Sequence, residues 1–135
     1  PQKPQIAVRA IILSSKKEIL ILKRANTVYG NRCWNLPGGK IDFGETAEQA
    51  LIKEIKEELN LKCIRSDFLF YTDNLPDRLN DLHFVTLFFK CECEGEIQIN
   101  EESSDYEWVK STELSKYKIA FEQEKAISRY FKSLT

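Results

Sequence analysis

Three glutamates, Glu54, Glu57 and Glu58, lie within one helical turn and a half of each other in a stretch that reads as a helix. At about 100° per residue they project together beside an apolar arc of Ala47, Leu51, Ile52, Ile55 and Leu59. Glu54 and Glu58 stand at i and i+4, where like charges destabilise a helix by roughly 0.2–0.5 kcal/mol in water. Beside a sheet they repel more strongly, and each also loses hydration. A divalent cation resolves the conflict, because Mg²⁺ takes a few carboxylate oxygens together with substrate phosphate and water. An isolated ExxEE is also the common solvated face of a charged surface helix. Its surroundings must decide.

Directly upstream runs Trp34-Asn35-Leu36-Pro37-Gly38-Gly39-Lys40, joined through Gly44-Glu45 to the acidic helix. Paired glycines let a backbone approach a ligand closely, aiming carbonyls at a metal or N–H groups at a phosphate. The helix itself is bounded by local chemistry. Thr46 with Gln49 fits a capping box, and Asn60 tolerates the left-handed conformation that ends a helix. This predicts a helix from about Thr46 to Leu59.

The rest of the chain supplies elements to hold that loop and helix. Residues 5–13 and 18–23 read as strands, and the charged break at 14–17 suggests a hairpin. Residues 33–36 form a short extended piece, and 40–44 a loop. Residues 63–72, 83–93 and 106–110 are strand-like, with a polar loop from Asp73 to Asp81. A second helix is predicted over 120–133, with Ala120, Phe121, Ile127, Tyr130 and Phe131 as its apolar side. Strands alternating with helices give an α/β or α+β class with a mixed sheet, in one domain spanning 1–135.

Composition narrows the function. The 135 residues carry a net charge of −1, without the basic surplus of a binder of polymeric nucleic acid. No apolar run is long enough for a membrane span, and no signal-peptide core follows Pro1-Gln2-Lys3-Pro4. Cys33, Cys63, Cys91 and Cys93 form no CxxC pair and have one histidine between them, which disfavours a zinc site. They read as reduced thiols of a cytoplasmic protein. Cys91 and Cys93 are expected to share one face of a strand.

From Gly39 the chain continues with five residues, Glu45, seven residues, then Lys53-Glu54-Ile55-Lys56-Glu57-Glu58-Leu59-Asn60-Leu61. This resembles the Nudix box, G-x5-E-x7-R-E-U-x-E-E-x-G-U with U aliphatic, over residues 39–61. The spacing matches throughout. The Leu36-Pro37-Gly38-Gly39 lead-in, His83-Phe84-Val85-Thr86 and Glu107-Trp108-Val109 also look like small MutT-like members of that family. Lys53 stands where the family has arginine, keeping the charge but losing the bidentate fork. Asn60 replaces a glycine. Neither departure removes a metal ligand.

The resemblance implies a Nudix fold, a mixed sheet sandwiched between helices, and a Mg²⁺- or Mn²⁺-dependent pyrophosphohydrolase of a small-molecule nucleotide. By resemblance, Glu54, Glu57 and Glu58 bind the metal with the Gly39 carbonyl. Glu45 stands behind them near Lys53, and Glu54 and Glu57 take part in catalysis. Family members draw the general base from the box helix or from a later loop. Here that loop offers Glu102, with Glu101 as its neighbour. Arg24, Lys40, Gly38 and Gly39 are candidates for phosphate contacts. Phe43, Tyr71 and His83 are candidates for lining a base pocket, as are Trp34 and Phe88 for stacking. Trp108 is expected in the core.

The box leaves the substrate open. The short chain and the WNLPGGK and HFVTLFF segments look like enzymes that cleave nucleoside triphosphates to monophosphate and pyrophosphate. Pro76, fifteen residues beyond Leu61, is similar to a proline of ADP-ribose-cleaving members. Some Nudix domains bind nucleotides without cleaving them, but such regulatory modules are expected to lose box glutamates, and all are present here. Small members are often homodimers, although no interface signature is visible.

Overall fold

The computed structural model describes residues 3–25, 32–79, 81–120 and 122–134. Its elements run β1 (Gln5–Ile12), β2 (Ile19–Arg24), β3 (Trp34–Asn35), β4 (Gly38–Lys40), α1 (Ala47–Leu59), β5 (Lys62–Asn74), β6 (Phe84–Glu94), β7 (Ser103–Val109), a 3₁₀ turn (Ser111–Lys116) and α2 (Gln123–Ser133). Phe121, expected on the apolar side of the second helix, lies outside the described residues.

The strands form two sheets, ordered β4-β1-β6-β5 and β3-β2-β7. β1 and β6 are parallel, with Val8 opposite Leu87 and Arg9 opposite Phe88; all the other strand pairs are antiparallel. The expected hairpin of β1 and β2 is therefore only partly right. Leu13 bridges Ile19 and the Ser14 N–H donates to the Glu18 carbonyl at 2.9 Å, but the strands then part into different sheets. The reason is visible in the side chains. β2 is apolar on both faces, so each face can be covered only if β2 lies between two helical layers. Leu20 and Leu22 pack with α1, whereas Ile19 and Ile21 pack with α2. The result is a mixed α+β arrangement with sheets sandwiched between helices.

Helix α1 begins and ends as its sequence requires. The Thr46 side chain accepts from the Gln49 N–H at 3.0 Å, and the Gln49 side chain accepts from the Thr46 N–H at 2.9 Å. Asn60 closes the helix at φ 59°, with its N–H bonded to the Lys56 carbonyl. The buried face is Ala50, Leu51, Ile55, Glu58 and Leu59. Each large aliphatic side chain there stabilises the fold by about 1.5–3 kcal/mol. Ile52, expected on this face, is 41% exposed, because the contact arc is centred on Leu51 and Ile55 rather than extending to 52.

Cys63, Cys91 and Cys93 lie together against the α1 side of the larger sheet, and all four cysteines are free thiols. Burial pushes the Cys93 thiol up to about 12. Trp108 is half-buried against the same core. No helix among the described residues is long and apolar enough to cross a membrane.

Candidate active site

A cleft of about 570 Å³ opens beside the carboxyl side of the box helix. Its lining brings the charged Arg9, Arg24, Lys40, Glu54 and Glu102 together with the apolar Leu75, Leu82, Phe84 and Phe88, and with Gly39, Thr86 and Gln123.

The diglycine segment joins the two sheets. Trp34–Asn35 pairs with β2, and two residues later Gly38–Lys40 pairs with β1. Gly38 lies so close to β1 that a Cβ there would sit 2.0 Å from the Val8 carbonyl oxygen, and its φ of +152° is one that side chains rarely adopt. Its N–H donates to Glu58 Oε2 at 3.1 Å. Gly39 makes room for Glu54: a Cβ there would fall 2.8 Å from Glu54 Cδ and 2.9 Å from Oε1.

Glu58 is 6% exposed. Burial drives its pKa well up, Arg9 opposes that shift, and the neighbouring Glu54 adds to it. Glu54 is raised first by burial and then by Glu57 and Glu102, while a hydrogen bond to Glu58 draws it down. Glu54 lines the cleft and Glu58 lies buried beneath it without lining it, so the two carboxyls crowd together, which is the conflict expected from their i, i+4 spacing. Glu57 is exposed and does not line the cleft. Among the described residues no three acidic, histidine or cysteine groups already converge on one metal position. The donor set is nevertheless all oxygen, with two crowded carboxylates and a glycine backbone beside them, and this suits a hard divalent ion.

Behind the carboxylates, Lys53 Nζ lies 2.9 Å from both Glu45 Oε2 and Asp42 Oδ2. The Glu45 carboxylate also accepts from the Asp42 N–H at 2.8 Å, and this bond, followed by Lys53, lowers its pKa. The three residues fix the turn that leads into α1. Glu102 reaches the cleft from the loop before β7. Asn100, which sequence reasoning missed, ties that loop to the helix. Its Nδ2 donates to the Glu57 carbonyl at 3.1 Å, and its Oδ1 accepts from the Glu102 N–H at 3.0 Å. Glu101 is exposed and does not line the cleft.

Of the other anticipated residues, Arg24 and Lys40 line the cleft, and Lys40 Nζ sits 5.9 Å from the centre of the Phe84 ring. Phe88 lines it too. Phe43, Tyr71 and His83 do not line it. Phe43 is fully exposed, and Tyr71 lies opposite Leu87, which packs toward α1 on the far side of the sheet. His83 stands just before β6, where its carbonyl accepts from the Gln5 N–H at 2.8 Å. Trp34 packs edge-on against Tyr117, with ring centroids 5.2 Å apart. Phe84, Thr86 and Arg9 were missed. Arg9 had a readable signal: it is the one charge within the apolar run Ile6–Leu13.

Comparison with known proteins agrees with this arrangement. A family model described as the NUDIX domain matches residues 3–130. An ADP-ribose pyrophosphatase of Methanocaldococcus jannaschii is 34% identical over 96% of this chain and 74% of its own. The nucleoside triphosphatase NudI of Salmonella paratyphi B is 38% identical over 62% of this chain and 66% of its own. The crystal structure of a MutT protein from Methanosarcina mazei superposes with a TM-score of 0.86, covering 100% of this chain and 99% of that one at 21% identity, a likeness of fold. A carboxylate-bearing helix beside a diglycine crossing, in a chain matched along nearly its whole length, places this protein in the Nudix family, hydrolases of phosphorus-containing anhydrides that act on small nucleotide-like molecules and generally use divalent metal ions.

Proposed function

We propose that this protein hydrolyses a nucleoside triphosphate to the monophosphate and pyrophosphate, with Mg²⁺ (or Mn²⁺) held by Glu54, Glu57, Glu58 and the Gly39 carbonyl. The observation that carries this reading is the mixed lining of one cleft, where Arg24, Lys40, Glu54 and Glu102 stand together with Phe84, Phe88, Leu75 and Leu82. That suits a ligand with one aromatic ring system and one polyanionic tail. A divalent ion supplies neutralisation of phosphoryl charge and activation of water when bound. Glu57 must turn from the exposed side of α1 toward Glu54 to complete the set. Glu102 accepts the proton of the attacking water from the loop that Asn100 anchors. Lys40 and Arg24 contact phosphate oxygens, and Lys53 with Glu45 holds the start of the helix.

A second reading, cleavage of ADP-ribose, is favoured by the relative bearing that name and by Pro76, which lies between the cleft residues Leu75 and Asp77. One panel separates the two. Nucleoside triphosphates, dinucleoside polyphosphates and ADP-ribose are incubated with the protein and Mg²⁺, and pyrophosphate and monophosphates are quantified. Pyrophosphate release from triphosphates at the highest kcat/KM is expected. Preferential turnover of ADP-ribose would overturn the triphosphate assignment, and no Mg²⁺-dependent turnover of any member would overturn both readings.

A further inference from the structure

β1 is buried on both faces: Ala7, Val8, Ala10, Ile11 and Ile12 are each no more than 4% exposed, yet Arg9 sits among them. A sequence chosen for stability alone would place an aliphatic residue here, because a charge enclosed by protein loses hydration. The Arg9 guanidinium is enclosed enough that burial lowers its pKa. Its Nη1 donates to the Leu36 carbonyl at 2.9 Å. With the Asn35 amide oriented so that its nitrogen donates to the Leu22 carbonyl at 3.2 Å, the Asn35 oxygen accepts from Arg9 Nη1 at 3.3 Å and from Arg24 Nη1 at 2.9 Å. Two guanidiniums thus meet at one neutral oxygen.

They repel each other, and the opposing charges are Glu58, Glu54 and Glu102. Two of those carboxylates are the ones assigned to the metal. Once a cation takes up the charge of Glu54 and Glu58, the carboxylates that offset Arg9 are engaged by the metal. Both arginines line that cleft. No fully buried side-chain polar atom among the described residues lacks a partner, so the Arg9 nitrogens that Leu36 and Asn35 do not use are those that reach the cleft surface. Arginine presents its donors in a planar fork suited to phosphate oxygens.

We infer that Arg9 and Arg24, spread across Asn35, clamp the diphosphate of the substrate, and that Arg9 is a substrate-binding residue. This deepens the pyrophosphohydrolase reading and rests on it for the placement of the metal. The competing role for Arg9 is that of a mere counter-ion to Glu58.

The test titrates methylenediphosphonate, a diphosphate that cannot be hydrolysed, into the wild type, Arg9→Gln and Arg9→Lys by calorimetry. Each titration is run with Mg²⁺ and with EDTA, and Mg²⁺ affinity is measured separately. The wild type is expected to bind in both conditions. Arg9→Gln should weaken binding at least tenfold in both, Arg9→Lys by a smaller factor, and Mg²⁺ affinity should stay within about threefold. Unchanged diphosphonate affinity would overturn the clamp, as would no binding by the wild type. A loss confined to the Mg²⁺ titration, accompanied by weaker Mg²⁺ binding, would make Arg9 a counter-ion only. Should Arg9→Gln fail to fold, unaltered affinity in a folded Arg9→Lys would overturn the bidentate contact. Diphosphonate binding that depends on Arg9 in a protein that hydrolyses no nucleotide would refute the proposed function and leave the clamp standing.

Discussion

One added methyl group at Gly39 tests where the chemistry sits. A Cβ at this position meets Glu54 Cδ at 2.8 Å, Oε1 at 2.9 Å and Oε2 at 3.1 Å. Ordinary van der Waals contact begins at 3.4 Å, so the carboxylate must retreat by the difference from 2.8 Å, about 0.6 Å. The obstacle is the far end of a flexible side chain, and Gly39 does not occupy the left-handed region. The fold should therefore survive, with the loss of glycine freedom contributing at most about 0.4–1 kcal/mol of stability. Misplacing a reacting group by about 1 Å costs on the order of 100-fold, so a shift of roughly half that size should lower kcat/KM about tenfold or more. Steady-state pyrophosphate release at saturating Mg²⁺, with thermal melts by circular dichroism, measures both effects. Gly38→Ala is the contrast. Its Cβ would strike the Val8 carbonyl oxygen at 2.0 Å, and backbone cannot yield as a carboxylate can. It should lower Tm by roughly 10 °C or more, or abolish folding. If Gly39→Ala retains activity within twofold, Glu54 does not work from the position it occupies beside Gly39.

Glu57→Gln should abolish turnover and leave the melting curve unchanged, since the side chain is exposed; wild-type turnover would remove Glu57 from the metal set. Asn100→Ala should lower kcat more than it raises KM, by about tenfold, because it frees the Glu102 loop without removing a cleft group; equal effects on substrate affinity would contradict that role. Glu58 binds a proton more tightly in the folded than in the unfolded protein, so stability in EDTA should fall as pH rises above about 4.3 toward its raised native value. Glu58→Gln should flatten that slope in pH-dependent melts, and a divalent ion at about 100 times its Kd should add about 2.7 kcal/mol at neutral pH. A slope identical in Glu58→Gln would show that the destabilising charge lies elsewhere. Lys53→Met should leave the denaturant midpoint close to that of the wild type, because its ion pairs are partly exposed and screened by solvent; a large drop would show that they hold the fold.

What could be read from the sequence was mostly local. The capping residues Thr46, Gln49 and Asn60 determine the ends of α1 through bonds to their immediate neighbours. The acidic spacing likewise shows that Glu54 and Glu58 are adjacent. The separation of β1 from β2 was hidden because local alternation cannot say which strands pair across the fold. Arg9 stands out in the sequence as a lone charge, but its role was hidden for a related reason. Its acceptors are the Leu36 carbonyl and Asn35, and only the assembled sheets bring them together. Phe43 and Tyr71 misled because an aromatic ring suits a base pocket, a core or a surface equally well, and strand register decides among them. Asn100 sits in a loop whose importance depends on its contact with Glu57, 43 positions away.

Leu36 and Pro37 are fastened from several directions. The Leu36 N–H donates to Gln123 Oε1 at 2.8 Å, its carbonyl accepts from Arg9, and the Pro37 carbonyl accepts from the Ala10 N–H at 2.8 Å. This short peptide acts as a rivet through both sheets and the last helix. A chain cut before Gln123 would keep every carboxylate discussed above, yet the diglycine step would lose one of its anchors. The geometry of the acidic floor is thus partly dictated by a segment that contributes no acid to it, and damage near the C-terminal end should register as weakened chemistry before it registers as a missing side chain.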